Sequence, residues 1–306
     1  MKRRKPRILA FMTALSFASA CNFIDDSSPR TEALPPIATA FKCLPQNAAF
    51  IAAHRATSKD SRLAENSLGG VSALIKRGFY FAEIDVARLK DKTHILMHDG
   101  VLERTTVGKG AVVSKSWEQA QTILLRDPSG RVTSDTIPRL EDVLQLASKK
   151  IYLEIDFKTS ASYQDIIGQI RHHDLQNHVI LIAYSKSQAR TLNRLAPEMF
   201  ISLPASNPRH LTELFENGLK PDKIGVWISK KDLPTSLEKT LAENNIALLR
   251  KAPTTGVTQA AKHASLLVDD YAFQLKPVMG LTRQTRRAFD HCMASTKESL
   301  PGNSGG

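Results

Sequence analysis

The chain has 306 residues, of which 42% are hydrophobic, 24% charged and 6% aromatic. This apolar content supports a packed core, and it excludes a disordered chain, a collagen or a continuous coiled coil as a description of the whole. The formal net charge is +12, but five of the basic residues lie within the first seven positions. No later block of Lys and Arg is long enough to indicate an arm for nucleic acid, so we expect no nucleic-acid partner.

The N-terminus has the pattern of an export signal. The basic start precedes an apolar run over residues 8–17, which is too short to span a bilayer comfortably, and small residues follow at 18–20. We therefore expect a signal peptide over 1–20 and a mature protein in the periplasm or at the outer membrane. Residues 18–21 (Ala-Ser-Ala-Cys) also form an acceptable lipobox. Cleavage after residue 20 makes Cys21 the new N-terminus. Cys21 is then either acylated and anchored in the membrane, or the unmodified first residue of a soluble exported protein.

The polar, proline-containing segment 22–45 is interpreted as a flexible tether, residues 46–292 as the folded domain, and 293–306 as a loose tail. Export permits disulfides. If Cys21 carries lipid, the cysteines that remain are Cys43 and Cys292, one near each end of the domain. Two interpretations stay open: a bridge that ties the two ends together, or two unrelated thiols.

Short apolar segments alternate with helix-period segments through the folded domain. This alternation indicates a parallel α/β sheet, and about eight such units over roughly 250 residues indicate a (β/α)8 TIM barrel. The predicted strands are 50–54, 81–86, 94–98, 151–157, 179–184, 200–203, 224–228, 246–249 and 266–268, and the predicted helices are 67–76, 140–147, 163–172, 187–195, 211–217, 235–243 and 257–263.

One predicted strand is in excess of the eight that a barrel needs. Only residues 87–93 separate the second strand from the third, which is too few for a parallel crossover but enough for a hairpin. We therefore expect the third strand to return antiparallel and to bring His98 back to the rim that holds Glu83 and Asp85. The long segment of about 101–137 is interpreted as a small insertion above the site that shapes substrate choice.

Carboxylates mark the ends of two predicted strands. Glu83 and Asp85 are two residues apart, as are Glu154 and Asp156, so each pair shares one face of its strand. Like charges on an inward face are costly unless something neutralises them. A divalent cation, which prefers oxygen ligands, would do so.

Six short motifs follow one another between positions 54 and 144. They are His54-Arg55-Ala56, Glu65-Asn66-Ser67, Glu83-Ile84-Asp85-Val86, His98-Asp99, Arg-Thr-Thr-Val-Gly-Lys-Gly at 104–110 and Ile-Pro-Arg-Leu-Glu-Asp-Val-Leu at 137–144. An acid-x-Lys strand end follows at Asp156 and Lys158. In order and spacing these motifs resemble the glycerophosphodiester phosphodiesterase (GDPD) family, of the bacterial exported or lipoprotein type, with weaker similarity as far as Asp270. Two positions depart from the family pattern: Ala56 replaces a glycine, and residues 246–250 replace a Trp-Thr-Val-Asn element.

The resemblance implies a TIM-barrel enzyme that hydrolyses a small glycerophosphodiester to glycerol 3-phosphate and an alcohol. It implies one divalent cation, Ca²⁺ or Mg²⁺, bound by Glu83, Asp85 and Asp156, with Glu154 as the alternative third ligand. It also suggests that the glycerol 2-hydroxyl attacks phosphorus first and that water then opens a cyclic phosphate, although direct attack by water stays open.

The same resemblance assigns the remaining site residues. His54 and His98 are the catalytic acid and base, in either order, because imidazole titrates near neutral pH. Arg55 and Lys158 bind the substrate phosphate. Glu65 and Asn66 support the loop of His54 and Arg55, begin a helix for which Asn66 is a suitable N-cap, or act directly in the site.

Two other functions remain open. One is a phospholipase-D or lyase type of activity on lysophospholipids or sphingolipids, which also uses two histidines and a Glu-x-Asp pair. The other is an envelope lipoprotein that binds a phosphorylated ligand without turnover. Asp269 and Asp270 follow the last predicted strand at the same rim, as ligands of substrate or as surface charge.

Overall fold

Eight parallel strands close into a barrel in the computed structural model, which describes residues 33–228 and 233–295. The strands of the described chain are β1 (Ala49–Ala53), β2 (Phe81–Arg88), β3 (His94–Leu96), β4 (Leu124–Arg126), β5 (Val132–Thr136), β6 (Tyr152–Phe157), β7 (Val179–Ile182), β8 (Phe200–Pro204), β9 (Ile224–Ile228), β10 (Ala247–Lys251), β11 (Leu266–Asp269) and β12 (Val278–Met279). The barrel runs β1, β2 and then β6 to β11, and β11 pairs in parallel with β1 to close it. The predicted TIM barrel is confirmed.

Helices alternate with the barrel strands and pack against their outward side chains. Polar side chains fix several helix starts: Ser67, Ser162, Ser185 and Asn207 each accept a hydrogen bond from the backbone N–H three residues later. Ser67, and not the predicted Asn66, is therefore the N-cap of the first of these helices. The helices are α1 (Ile37–Cys43), α2 (Leu68–Lys76), α3 (Trp117–Ala120), α4 (Leu140–Ala147), α5 (Tyr163–His172), α6 (Lys186–Leu195), α7 (Pro208–Glu216), α8 (Thr235–Glu243), α9 (Val257–Ala261) and α10 (Arg283–Ser295).

The inside of the barrel is layered because alternate residues of each strand point inward. The lower layer is aromatic: the ring centroids of Phe50 and Phe81 lie 5.1 Å apart, and those of Phe81 and Tyr152 lie 4.8 Å apart. Further along β2 and β6, the inward positions are carboxylates, with Glu83 opposite Glu154 and Asp85 opposite Asp156. An apolar floor thus supports a charged layer at the carboxyl ends of the strands.

The predicted hairpin and insertion are both present. β3 pairs antiparallel with β2, with Val86 opposite Leu96, so the chain returns to the carboxyl end of the barrel. The residues between β3 and α4 include α3 and the antiparallel pair β4–β5. This insertion has a small core of its own, to which Leu102, Leu125 and Ile137 contribute.

The opposite end of the barrel is covered by α1 and α10, which are joined by the disulfide Cys43–Cys292, one of the two interpretations that the sequence left open. The tether prediction is wrong for its second half, because α1 buries Ile37 and Ala40. Phe41 of α1 also packs on the aromatic floor, with its ring centroid 5.7 Å from that of Phe81. Likewise α10 continues to Ser295, into the predicted tail.

The predicted export signal at 1–20, the lipobox Cys21, the first part of the tether and the end of the tail lie outside the described residues. Within the part of the chain that the structure describes, no helix combines the length and the hydropathy needed to cross a membrane.

Candidate active site

A cavity of about 480 Å³ opens at the carboxyl end of the barrel and brings most of the predicted site residues together. Its wall is charged on the side of β1, β2 and β6 and mainly apolar on the side of β7 to β9. Arg55, Glu65 and Asn66 do not line it and lie behind the charged wall. The predicted residues that line the cavity are His54, Glu83, Asp85, His98, Glu154, Asp156 and Lys158.

Three buried carboxylates converge at the base of the charged wall. One oxygen each of Glu83, Asp85 and Asp156 lies within 4.8 Å of the others, and Asp156 Oδ1 is buried without a hydrogen-bond partner. Burial, followed by the nearby charge of Asp85, raises the pKa of Glu83 well above its ordinary value. Burial and mutual repulsion thus oppose ionisation of the cluster, and a divalent cation, which prefers oxygen ligands, would offset both.

Glu154 lies on the same face but outside this triad. It is 1% exposed, and neither of its carboxylate oxygens has a hydrogen-bond partner. Burial, with a smaller contribution from the charge of Asp156, raises the pKa of Glu154 to about 8. Asp156, the favoured third ligand, is thus the residue that completes the triad, and Glu154 is a neutral acid at neutral pH.

Lys158 and Tyr184 both contact carboxylates of the triad through their side chains. The Lys158 Nζ lies 2.6 Å from Asp85 Oδ1 and 2.6 Å from Asp156 Oδ2, so this predicted phosphate ligand reaches the cavity. The Tyr184 hydroxyl donates to Asp156 Oδ2 at 2.8 Å. Sequence reasoning missed Tyr184, although its position two residues after the inward-facing Ile182 gives it the same direction.

His54 follows β1, and its imidazole is bound by a residue that follows β11, the strand that pairs with β1 to close the barrel. Its Nδ1 lies 2.6 Å from Asp270 Oδ1, and its Nε2 lies 3.9 Å from Glu83 Oε2. Burial lowers the pKa of His54 below its ordinary value, although the hydrogen bond with Asp270 acts in the opposite direction. The sequence left the role of Asp270 open, and the structure identifies it as the partner of the imidazole.

His98 has a similar partner within its own motif. Its Nδ1 lies 2.7 Å from Asp99 Oδ1, and the Arg104 guanidinium binds Asp99 Oδ2 at 2.5 Å. Hydrogen bonds from Arg104 are the main reason that the pKa of Asp99 lies below its ordinary range. Arg104 also binds both oxygens of Glu65, at 2.8 and 2.9 Å, and Glu65 accepts from Arg55 at 3.1 Å. A chain of charged contacts therefore connects His98 to the loop after β1.

That loop fixes two of the three triad carboxylates. The Arg55 N–H donates to Glu83 Oε2 at 2.7 Å. Asn66 makes a paired contact with Asp85: its Nδ2 donates to Oδ2 at 2.7 Å, and its Oδ1 accepts from the Asp85 N–H at 2.9 Å. Asn66 thus holds Asp85, and Glu65 holds the side chain of Arg55. These contacts agree with the supporting role predicted for both residues. The Arg55 side chain lies against Glu65 and Asp85 and does not line the cavity.

The chain is similar in sequence to a known phosphodiesterase. A glycerophosphodiester phosphodiesterase from Caldanaerobacter subterraneus subsp. tengcongensis is 26% identical over 161 residues, or 50% of this chain and 65% of that protein. The matched segment therefore spans less than two thirds of that relative.

Two solved structures share the barrel fold. A glycerophosphoryl diester phosphodiesterase from Parabacteroides distasonis has a TM-score of 0.68 at 18% identity, over 85% of this chain and 94% of that one. An Oleispira antarctica phosphodiesterase, solved in complex with its product sn-glycerol-3-phosphate, has a TM-score of 0.58 at 19% identity, over 82% of this chain and 99% of that one.

Residues 54–270 match the model of one protein family over a range that begins at His54 and ends at Asp270. The chain therefore belongs to the glycerophosphoryl diester phosphodiesterase family.

Proposed function

We propose that this chain hydrolyses glycerophosphodiesters to glycerol 3-phosphate and an alcohol, with His54 and His98 as the acid and base. One observation carries the proposal: two imidazoles, each held at Nδ1 by a carboxylate, line the same cavity as a buried acidic triad. Membership of the family supports a phosphodiester as the substrate.

The acidic triad fits Ca²⁺ or Mg²⁺, because both ions prefer oxygen ligands. Glu83, Asp85 and Asp156 would hold the ion, and the buried, unpartnered oxygen of Asp156 supports this assignment. A bound divalent ion supplies polarisation of the phosphoryl oxygens and offsets the negative charge of the diester. Lys158 is the cation best placed to pair with a phosphoryl oxygen, while Arg55 holds the loop that carries His54.

The histidines move the protons. Because a carboxylate occupies Nδ1 of each ring, Nε2 is the atom left to exchange a proton with substrate. One imidazole takes the proton of the attacking hydroxyl as its oxygen bonds to phosphorus. The other gives a proton to the departing alkoxide as the bond between phosphorus and the alcohol oxygen breaks. When water is the attacking hydroxyl, this step yields glycerol 3-phosphate and the alcohol, and the rings, left in exchanged protonation states, return by proton exchange with solvent. When the glycerol 2-hydroxyl attacks, this step yields a cyclic phosphate. Water then adds to phosphorus as the bond to the 2-oxygen breaks, and the two rings act in reversed roles, which restores their starting states.

Release of glycerol 3-phosphate from glycerophosphoglycerol tests the proposal. We expect chelation with EDTA to abolish the activity, and Ca²⁺ or Mg²⁺ to restore it. His54→Ala and His98→Ala should each lower kcat by about 100-fold or more, whereas His263→Ala, an exposed histidine paired with Glu238, is the matched control.

Four outcomes would count against parts of the proposed mechanism. Wild-type kcat in a folded His98→Ala variant would contradict the two-histidine mechanism, and a chelator-insensitive rate would contradict the metal assignment. Turnover of lysophosphatidylcholine alone would favour the phospholipase-D-type reaction. Binding of glycerol 3-phosphate without turnover of any diester would favour a non-catalytic binder.

We further propose that the protein is exported and anchored through an acylated Cys21, which the basic, apolar and small-residue pattern of residues 1–21 supports. Labelling with radioactive palmitate tests the anchor. We expect label in the wild type and none in Cys21→Ser, and an unlabelled wild type with a free N-terminal Cys21 would instead indicate a soluble exported protein.

A further inference from the structure

Two lysines and one carboxylate form a cluster at the rim of the cavity, next to His54. Lys251 is the last residue of β10, Lys59 follows the loop after β1, and Asp270 follows β11. We call Lys59, Lys251 and Asp270 the rim cluster. The mechanism uses Asp270 to hold His54 but gives the two lysines no role.

Lys251 points into the mouth of the barrel. It continues the inward series of β10, in which Ala247 and Leu249 pack into the inner core, and it lines the cavity. Lys158 and Lys251 are the two lysines among the described residues that line this cavity. Lys158 is engaged by two triad carboxylates, so Lys251 is the one available to a different part of the substrate.

The lysines of the rim cluster have donors to spare. Asp270 Oδ2 lies 3.0 Å from the Nζ of Lys59 and 3.1 Å from that of Lys251, while Oδ1 faces His54. An ammonium group has three N–H donors, so one contact with Asp270 leaves two on each lysine. Their side chains are 56% and 61% exposed. A ligand can therefore meet both ammonium groups while Asp270 keeps its hold on His54.

Among the described residues, Asp270 is the one carboxylate that forms an ion pair with Lys59 and Lys251. Asp269 alternates with the inward-facing Val268, so it points away from the cavity and accepts a hydrogen bond from the Tyr271 N–H. Asp60 is engaged by Ser58 and Gln274. The rim cluster therefore presents two positive charges against one negative charge.

The residues of β7 to β9 and their loops that line the cavity carry no charged side chain. Ile182, Pro204 and Trp227 line the side of the cavity formed by β7 to β9, and the Tyr184 hydroxyl is already bonded to Asp156. On the protein side, the charge that can discriminate between alcohols therefore lies in the rim cluster.

We propose that this site selects diesters whose alcohol carries an anionic group of its own, a carboxylate or a phosphate, which Lys251 and Lys59 bind at the rim. Ammonium groups donate charge-assisted hydrogen bonds to such oxygens and repel a cationic head group. This inference rests on the proposed function, and it adds the class of alcohol that the enzyme prefers.

The test compares three diesters of glycerol 3-phosphate, with 3-hydroxypropanoate, propane-1,3-diol or choline as the alcohol. In the wild type we expect kcat/KM to fall in that order, from anionic through neutral to cationic. Lys251→Gln should lower the ratio of kcat/KM for the anionic over the neutral diester by roughly three- to tenfold. Because both rates come from one variant, any effect that Asp270 transmits to His54 cancels in the ratio.

Two further measurements keep the test independent of one variant. Lys59→Gln should lower the same ratio, and added salt should lower it in the wild type, because exposed charges are screened. Lys239→Gln, on α8 and remote from the mouth, is the matched control and should leave the ratio unchanged.

The outcomes separate this inference from the proposed function. Hydrolysis of all three diesters with an anionic-to-neutral ratio that neither lysine variant nor salt alters would overturn the inference alone. A wild type that prefers the choline diester would overturn it as well. Hydrolysis of none of the three would overturn the proposed function, and the inference with it.

Discussion

Asp270 holds the imidazole of His54 across the seam where the barrel closes, with 2.6 Å between Oδ1 and Nδ1 and a sequence separation of 216. The contact exists because β11 pairs in parallel with β1, with Ala53 opposite Asp269. The residue that follows each of these partners then lies at the same rim. Closure of the barrel therefore assembles a His–Asp pair from the first and last strands.

The Asp270→Asn variant should show what this contact contributes. Asparagine keeps the shape of the side chain but removes the charge that orients the ring and stabilises its protonated form. We expect kcat to fall by about 100-fold or more. Loss of a neighbouring negative charge also lowers the pKa of His54 further, so the limb of the pH–rate profile that His54 controls should move to lower pH.

Asp269→Asn is the matched control for that variant. Asp269 is the adjacent carboxylate, but it points outward and accepts from the Tyr271 N–H at 2.5 Å. Its removal should leave kcat and the pH–rate profile close to those of the wild type. If the two variants had the same pH–rate profile, Asp270 would be a structural residue and not a positioning residue for His54.

The acidic triad could be predicted from sequence because it follows from two local rules. Residues two apart on a strand share a face, and parallel barrel strands end at one rim, so Glu83, Asp85 and Asp156 had to be close. The hairpin length then placed His98 at the same rim. Asp270 could not be assigned in this way, since its partner depends on the exact direction of one side chain beyond a strand end.

Other parts depended on tertiary packing. The chain of contacts through Asp99, Arg104 and Glu65 needs the conformation of an irregular insertion, which no periodicity specifies. Helix α1 was not predicted because two prolines directly precede it and it has only seven residues, too few to show a helical period. Its stability comes from the aromatic floor that it covers, and not from helix propensity.

Glu154 should make stability depend on pH in the metal-free protein. Burial raises the pKa of Glu154 in the folded state to about 8, against an ordinary value of 4.5. Between these values the unfolded chain releases a proton that the folded chain keeps, so the free energy of unfolding falls as pH rises through this window. Glu154→Gln removes this penalty and should stabilise the protein at pH 8 by up to a few kcal/mol. The two proteins should differ little near pH 4.5.

Guanidinium unfolding in EDTA at both pH values measures the difference. Glu216→Gln, on the exposed end of α7, provides a control in which a solvated carboxylate is lost. An identical change in unfolding free energy at both pH values would show that Glu154 does not retain its proton in the folded state.

The disulfide between Cys43 and Cys292 should contribute to stability and not to turnover. It closes a loop with a sequence separation of 249 and joins α1 to α10 at the end of the barrel remote from the cavity. The double variant Cys43→Ser/Cys292→Ser should lose about 2–5 kcal/mol of unfolding free energy. Its kcat should equal that of the wild type at a temperature where both are folded. A lower kcat in the folded double variant would mean that packing of α1 on the aromatic floor affects the active site.

Gly70 links the packing of α2 to the loop that carries His54 and Arg55. A Cβ at this position would lie 2.2 Å from the backbone oxygen of Ala56, a residue with a φ of 52°. Alanine in place of a helical glycine ordinarily stabilises a helix by up to about 1 kcal/mol. Here we expect the opposite sign, a loss of about 1–3 kcal/mol, because either α2 or the loop must move.

Gly168→Ala is the control that separates this contact from helix propensity. Gly168 lies inside α5, and a Cβ there would meet nothing within 4 Å. It should therefore stabilise the protein by up to about 1 kcal/mol and leave kcat unchanged. Gly70→Ala should also lower kcat, because displacement of the loop shifts the Arg55 N–H that holds Glu83. Thermal unfolding and kcat measured on both variants test the argument, which stabilisation by Gly70→Ala with full activity would contradict.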